Sequence, residues 1–399
     1  MKKRVLFLMS DTGGGHRAAA EAIQESLVRR YPNDVDVALV DVFRDYTPFP
    51  FRNFPELYPW LVNHGKSSWG ASFKLTNTRQ RAKILTSTMY MTAESGLKQM
   101  LRDHPADVVV SVHSLLTHIA MRAMLSLQKR PPFVVVVTDL VSTHYFWYDR
   151  RADRTLLPTQ IAFERGLKAG LDPNKMRVTG LPVHPRFTDA LTDKATARAA
   201  LGWHPTLPTI LLVGGGDGMG PVYKIARAID ERGLQCQLVI VCGRNATLKA
   251  QADTALWNQP THIYGFVSDM PRLMAGSDVI ATKAGPATIS EACIAGLPML
   301  LYDAIPGQEE GNVDFVIENN AGVYITQPRA AAETVEAWLS EGETYLRWRS
   351  ANARRAARPD AAWQIADELW DQAQRPLIAA DRRKKLTLKD MAEQIGIEL

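Results

Sequence analysis

The sequence predicts an α/β protein of two Rossmann-like, doubly wound domains facing a cleft. Three observations predict it. First, short apolar runs recur between turn signals: VLFLM at 5–9, DVVVSV at 107–112, FVVVV at 133–137, TILLV at 209–213 and MLLYD at 299–303. Runs of this length fit parallel strands buried on both faces. Second, the runs at 5–9 and 209–213 each lead into a Gly-rich turn, SDTGGGHR and GGGDGMG, and then into helix-like sequence. The same strand–turn–helix opening therefore occurs twice, with strands and helices alternating after each. Third, polar residues gather directly after strand runs, at 11–16, 111–113, 139–144 and 180–186. Open α/β sheets bind ligands at such strand ends.

A chain of 399 residues suggests two or three domains. With 46% hydrophobic residues it can fill sizeable cores, which excludes a disordered chain. The net charge of +5 suits an anionic lipid surface, a nucleic acid or a nucleotide, and selects none of them. Cys236, Cys242 and Cys293 have no metal-ligand spacing, so buried thiols in a reducing compartment are expected. No apolar run approaches the roughly 18 residues of a transmembrane helix. The start, MKKRVLFLMSD, reads as a first strand, its apolar part being too short for a secretory leader.

In chain order, the strand at 5–9 meets the turn at 10–17, and AAAEAIQESLVRR has helical period. The turn's GGGH is neither GxGxxG nor a Walker loop, so the standard dinucleotide and P-loop readings fail. A second strand is expected at 35–42. Residues 46–90 then change character. Phe49, Phe51, Phe54, Tyr58, Trp60, Trp69 and Phe73 lie among Arg52, Lys66, Lys74, Arg79, Arg81 and Lys83, with Glu56 the one acid. Aromatics interleaved with cations suit a membrane interface. A proline-broken insertion packed on its own domain has the same composition, and a single-stranded nucleic acid is a weaker third reading. Residues 187–208 read as a linker, containing Trp203-His204-Pro205.

The second half starts with TILLV and Gly214-Gly215-Gly216-Asp217-Gly218. LQCQLVIVCG, HIYGFVSDM, DVIATKAG and PMLLYD follow as further strands with polar or Gly exits. The stretch at 282–312, TKAGPATISEACIAGLPMLLYDAIPGQEEGN, places a Gly-Pro turn before a helix. Such a start offers free N–H groups and the positive end of the helix dipole to an anion. Glu291 follows one turn later, and Gln308, Glu309 and Glu310 come after the next strand. Residues 329–373 are helix-rich, with Trp338, Tyr345, Trp348, Trp363 and Trp370 expected to anchor by burial. A basic run, 381–385, lies in the tail. The expected domains are 1–186, a linker at 187–208, 209–357, and C-terminal helices at 358–399 returning to the first domain.

These residues carry a family likeness. SDTGGGHRAAAEAI, SVHSLLTH, VVVVTDLVSTHYFW, GLPVHPRF and the stretch from 282 onward resemble the monogalactosyldiacylglycerol synthase and diacylglycerol glucosyltransferase family, which belongs to glycosyltransferase family 28. The likeness runs in order from about 6 to 322. More distantly the chain is similar to the N-acetylglucosaminyltransferase that completes lipid II. The resemblance implies a GT-B fold and inverting transfer of a hexose, galactose favoured and glucose possible, from a UDP-sugar to the 3-hydroxyl of diacylglycerol. It implies no cofactor and no obligatory metal. His16 matches the catalytic base, with Asp139 the alternative base or the group that orients His16. Gly214, Gly215, Gly216 and Gly218 match the diphosphate loop, and Pro286, Ala287 and Thr288 the helix start at the phosphates. Phe266 and Val267 match the segment on uracil, Glu291 the ribose-binding acid, and Gln308 with Glu309 the pair holding the hexose. Gly14, Gly15, His113, Thr143 and His144 match the acceptor side. Plant members tend to carry Arg where His184 stands.

Under this likeness, 46–90 would contact an anionic membrane, with 381–385 as a candidate second contact, and nucleic acid is not an expected partner. The expected location is cytoplasmic, peripheral on the inner face of the cell membrane. Two rival functions are a glycosyltransferase with an isoprenoid-linked acceptor and a non-catalytic UDP-sugar sensor.

Overall fold

The computed structural model describes residues 2–12, 15–57 and 65–380, without the side chains of 66 and 67. The chain forms two compact units, Met1–His184 with Asp360–Leu399, and Pro185–Pro359. Gly14, Tyr58, Trp60 and the basic run 381–385 lie outside the described residues.

The first unit contains β1 (Lys3–Met9), β2 (Val35–Asp41), β3 (Val108–Ser111), the two-residue β4 (Lys129–Arg130), β5 (Phe133–Val136), β6 (Arg154–Leu157) and β7 (Met176–Val178). Six of them form one parallel sheet in the order β2-β1-β3-β5-β6-β7. Side chains alternate between its faces. Leu6, Leu8, Val109 and Val135 join one core with Phe43, Leu97, Met121 and Trp147. Val5, Phe7, Val110 and Val134 join the other with Ile23, Leu27, Ile365 and Leu369. Both faces are covered, which is why these strands are continuous apolar runs.

Ile365 and Leu369 come from the helix Ala361–Ala373, which thus completes the first unit's core. Trp370 stacks on Tyr31 at 4.2 Å, and Glu368 pairs with Arg154 and Arg177.

The second unit is a parallel sheet of β8 (Thr209–Val213), β9 (Gln237–Val241), β10 (Thr261–Tyr264), β11 (Val279–Lys283), β12 (Met299–Asp303) and β13 (Gly322–Tyr324), in the order β10-β9-β8-β11-β12-β13. Its strand order reverses between β8 and β11; that of the first unit reverses between β1 and β3. Each pair of carboxyl ends flanks a switch-point crevice. After β13, β14 (Ile378–Ala379) pairs antiparallel with β4, within the first unit.

Three expectations change. Residues 187–208 carry the helix Lys194–Leu201, capped by Asp193 at one end and by left-handed Gly202 at the other. Its Arg198 is buried and bonds Gly276 O, Thr209 Oγ1 and Asp278 Oδ2, so the segment belongs to the second unit. Within 46–90, the helices Lys66–Thr76 and Arg79–Asp103 replace an irregular insertion. Met89, Tyr90, Ala93, Leu97 and Met100 turn inward, while Arg81, Ile84, Leu85 and Met91 face out. Among the tryptophans, Trp338 is buried, but Trp348 is 47% exposed and rests against Arg349.

Replacing Arg198 by Ala leaves Asp278 and two buried backbone or hydroxyl acceptors short of a donor. Loss of one partner of a buried pair costs about 3 kcal/mol. A lowered urea midpoint for the second unit is the expected result, against a change within about 0.5 kcal/mol for a surface linker residue.

Candidate active site

In the first unit, the carboxyl ends of β1, β3 and β5 supply one polar cluster. Gly15 opens the helix Gly15–Arg30, which presents His16 beside β1's end. His16 Nδ1 lies 2.9 Å from Thr138 Oγ1, just past β5. Thr138 Oγ1 itself donates to Val112 O at 3.3 Å. A hydroxyl that donates its one proton elsewhere can only accept from the ring. In that arrangement His16 Nδ1 carries the proton and Nε2 keeps its lone pair.

His113 lies below, its ring 4.3 Å from that of His16 and its Nε2 2.8 Å from Thr12 Oγ1. Its Nδ1 is buried with no hydrogen-bond partner among the described residues. Burial pushes His16 down to about 4, and burial plus the adjacent His16 push His113 well below the usual range. Both rings are neutral at pH 7. Arg17 clamps Asp11 through two hydrogen bonds, which fixes the turn between β1 and His16.

Asp139 is buried and accepts from Trp147 Nε1 at 2.6 Å; the Trp147 ring lies 6.2 Å from His16. Thr138, the residue before Asp139, is bonded to His16. Thr143 is buried and bonded to Tyr148 OH. His144 Nδ1 accepts from Phe146 N–H, so its Nε2–H donates to Thr76 Oγ1 at 3.1 Å. Through these bonds His144 caps the turn Tyr145–Trp147 and pins the helix Lys66–Thr76 to the strand ends, which makes its role structural. Burial, reinforced by Arg165, pushes His144 down to about 3.

In the second unit the turn after β8 is closed by Met219 N–H to Gly214 O at 2.7 Å and Gly218 N–H to Gly215 O at 3.2 Å. Gly218 has φ +60, and a Cβ there would stand 2.2 Å from Cys242 O. Only glycine fits that turn. Gly216 O accepts from Arg244 N–H, so the turns after β8 and β9 interlock. Across the switch point, the helix Pro286–Ala295 starts with Gly285 as N-cap, Pro286 in its first turn and no side-chain cap. The N–H groups of Ala287 and Thr288 have no acceptor within the helix, and they sit at its positive end. Glu291 follows on the same helix. It keeps part of its surface open, yet burial pushes its carboxyl up to about 7 against the pull of Arg186.

Phe266 is 64% exposed with the Arg244 guanidinium 5.0 Å from its ring centre; Val267 adjoins it. Gln308 is half-buried. Glu309 is placed differently from its expected sugar-facing role. It is buried, with Oε1 2.6 Å from Lys283 Nζ and Oε2 accepting from Ile305 N–H at 2.9 Å.

Thr138, Lys283 and Arg244 are the residues that sequence reasoning missed. Thr138 and Lys283 close strand runs, a signal the sequence does carry. Nothing in the sequence marks Arg244, whose place depends on the turn after β9.

His16, His113 and His144 share one consequence. Their folded pKa values lie below the unfolded value of about 6.5. Their contribution to stability is therefore complete above about pH 6.5 and is lost as pH falls toward 4 and 3. The melting temperature is expected to fall between pH 7 and 4.5. His144→Gln, which cannot take up a proton, is expected to show a smaller fall.

The comparisons with known proteins divide along the same two units. Residues 16–183 match the family model of monogalactosyldiacylglycerol (MGDG) synthase, and 194–355 match that of glycosyl transferases group 1. The monogalactosyldiacylglycerol synthase of Spinacia oleracea is 38% identical over 378 residues, covering 92% of this chain and 72% of the relative. Synthase 2 of Arabidopsis thaliana is 38% identical over 382 residues, covering 93% and 81%. The solved structure of Acinetobacter baumannii MurG, at 17% identity, superposes with a TM-score of 0.60 over 92% of this chain and 99% of its own, a likeness of GT-B fold.

Both relatives are named as chloroplastic, which overturns the expected placement on the inner face of the cell membrane. Cations interleaved with aromatics in a sequence carry a signal for the sign of a surface and none for the compartment that owns it. Among the described residues no helix is long and apolar enough to cross a membrane. At 38% identity over nearly its whole length, with a Gly-rich turn and a helix start at the switch point of its second sheet, the chain belongs to the monogalactosyldiacylglycerol synthase family of GT-B glycosyltransferases.

Proposed function

We propose that this enzyme transfers galactose from UDP-galactose to the 3-hydroxyl of 1,2-diacylglycerol, with inversion at the anomeric carbon, making monogalactosyldiacylglycerol. The observation that carries the mechanism is the 2.9 Å contact between His16 Nδ1 and Thr138 Oγ1, read with Nδ1–H as the donor. It leaves Nε2 as the proton acceptor. The acceptor hydroxyl gives its proton to Nε2 as its oxygen attacks the anomeric carbon. The bond from that carbon to the phosphate oxygen breaks, and its electron pair leaves with UDP.

The second unit holds the donor. The N–H groups of Ala287 and Thr288 and the turn of Gly214, Gly215, Gly216 and Gly218 receive the diphosphate. Glu291 takes the ribose hydroxyls. The Phe266 face, backed by Arg244, takes uracil. Gln308 faces the hexose. On the acceptor side, Gly15 and His113 frame His16.

A burial-lowered His16 is a weaker base than an ordinary imidazole, yet it is wholly unprotonated at neutral pH. Since kcat/KM reports the free enzyme, it is expected to hold from pH 8 to about 5 and fall below. A fall centred near 6.5 would contradict the assigned environment. The product test is direct: diacylglycerol vesicles with UDP-galactose should yield monogalactosyldiacylglycerol and UDP. His16→Ala should lose at least about 100-fold in kcat, the low end of general-base contributions, and Thr138→Val should lose more than Thr138→Ser. No galactolipid from the wild-type protein would end this reading.

The outward face of the helix Arg79–Asp103 meets a bilayer containing anionic lipid. Ile84, Leu85 and Met91 are 58%, 40% and 75% exposed there, and Phe49, at 80%, adds an aromatic ring in the same segment. His144 links the segment to the strand ends through Thr76. Each Lys or Arg near such a surface contributes about 1 kcal/mol. Neutralising Arg79, Arg81 and Lys83 to Gln should cut co-sedimentation with phosphatidylglycerol vesicles several-fold. Unchanged binding would exclude this face as the membrane contact.

A further inference from the structure

We propose that Lys283 is the side-chain cation that receives the donor's diphosphate, and that Glu309 is the positioning residue that holds it in place. This rests on the UDP-sugar reading above. Lys283 is the last residue of β11, the strand beside the switch point. Its register against β12 shifts between Thr282 and Lys283. The extra residue is Tyr302 of β12, between Leu301 and Asp303, so Lys283 stands opposite Asp303 at the carboxyl ends of the two strands.

The ammonium then lies among the elements that flank the switch point. A Cβ built on Gly285, the N-cap of the helix Pro286–Ala295, would stand 3.3 Å from Nζ. One built on Gly215, in the turn after β8, would stand 3.6 Å from Cε. Lys283 thus occupies the space between the two backbone segments whose N–H groups can serve an anion.

Its partner is the second observation. Nζ is 2.6 Å from Glu309 Oε1. Glu309 is 3% exposed, and its other oxygen is tied to Ile305 N–H. A carboxylate held at both oxygens has little to offer a sugar hydroxyl. It can instead offset the charge of a partly buried ammonium and fix the direction of its stem. An ammonium has three donors, and this ion pair uses one. The diphosphate takes another, and as the glycosidic bond breaks, the charge growing on UDP falls beside Nζ. A Cβ on Gly285 would crowd the ammonium, whereas Gly215 is a glycine for its backbone, φ +71.

Titration calorimetry with UDP and with uridine separates the possibilities, using the full-length protein, Lys283→Met, Lys283→Arg and Glu309→Gln. The wild type is expected to bind UDP more tightly than uridine. Lys283→Met should weaken UDP about 10- to 100-fold, the range for a charge-assisted hydrogen bond, and leave uridine within about twofold. Lys283→Arg should recover part of the loss. Glu309→Gln should weaken UDP several-fold, again without touching uridine. Equal UDP affinity in Lys283→Met and wild type would overturn the proposal. So would equal losses for UDP and uridine, which would mark a packing role. A wild-type protein that binds neither compound would instead overturn the UDP-sugar reading itself.

Discussion

A parallel strand covered on both faces leaves its chain one place for polar chemistry, the carboxyl end. β1 and β8 are of this kind: Val5–Met9 and Thr209–Val213 are all but fully buried. Each is followed at once by small and polar residues, because the backbone must turn into a helix and its N–H groups need partners or ligands. The strand-order reversals, between β1 and β3 and between β8 and β11, open that end of each sheet. His16 and His113 gather at one reversal; the glycine turn and the start of Pro286–Ala295 gather at the other.

Burial sets the character of each cluster. In the first unit it keeps the imidazoles neutral, and Thr138 decides which nitrogen of His16 is bare. In the second it holds Lys283 against Glu309 and raises Glu291 toward neutrality. The second cluster is built from backbone N–H groups with side-chain cations, Lys283 and Arg244, beside them. That suits a ligand whose charge grows during reaction, since fixed donors need no reorganisation when the charge appears.

Much of this was legible in the sequence. VLFLM, VVVS, FVVV and TILLV marked the strands because a both-sides-buried strand has no polar alternation to hide it. The paired Gly-rich turns marked two units, and family motifs pointed to His16, Glu291 and the glycines. What stayed hidden depends on pairings distant in sequence. Thr138 meets His16 across 122 residues, and Arg198 meets Asp278 across 80, so the helix around Arg198 looked like a linker. Lys283 meets Glu309 across 26 residues, a pairing that composition does not mark. The prolines and aromatics of 46–90 masked two helices, of which Arg79–Asp103 has an inner face of ordinary core. The ion pair of Glu309 with Lys283 is a contact that residue types alone could not mark.

The proposed chemistry turns on a neutral imidazole at His16 whose Nε2 accepts the proton of the acceptor hydroxyl. Nitrogen-15 NMR of protein labelled at histidine, with His16→Gln to assign the signal, reads the tautomer directly. A protonated Nδ1 and an unprotonated Nε2 are expected for His16 at pH 7. A proton on Nε2, or an imidazolium at that pH, would contradict this mechanism.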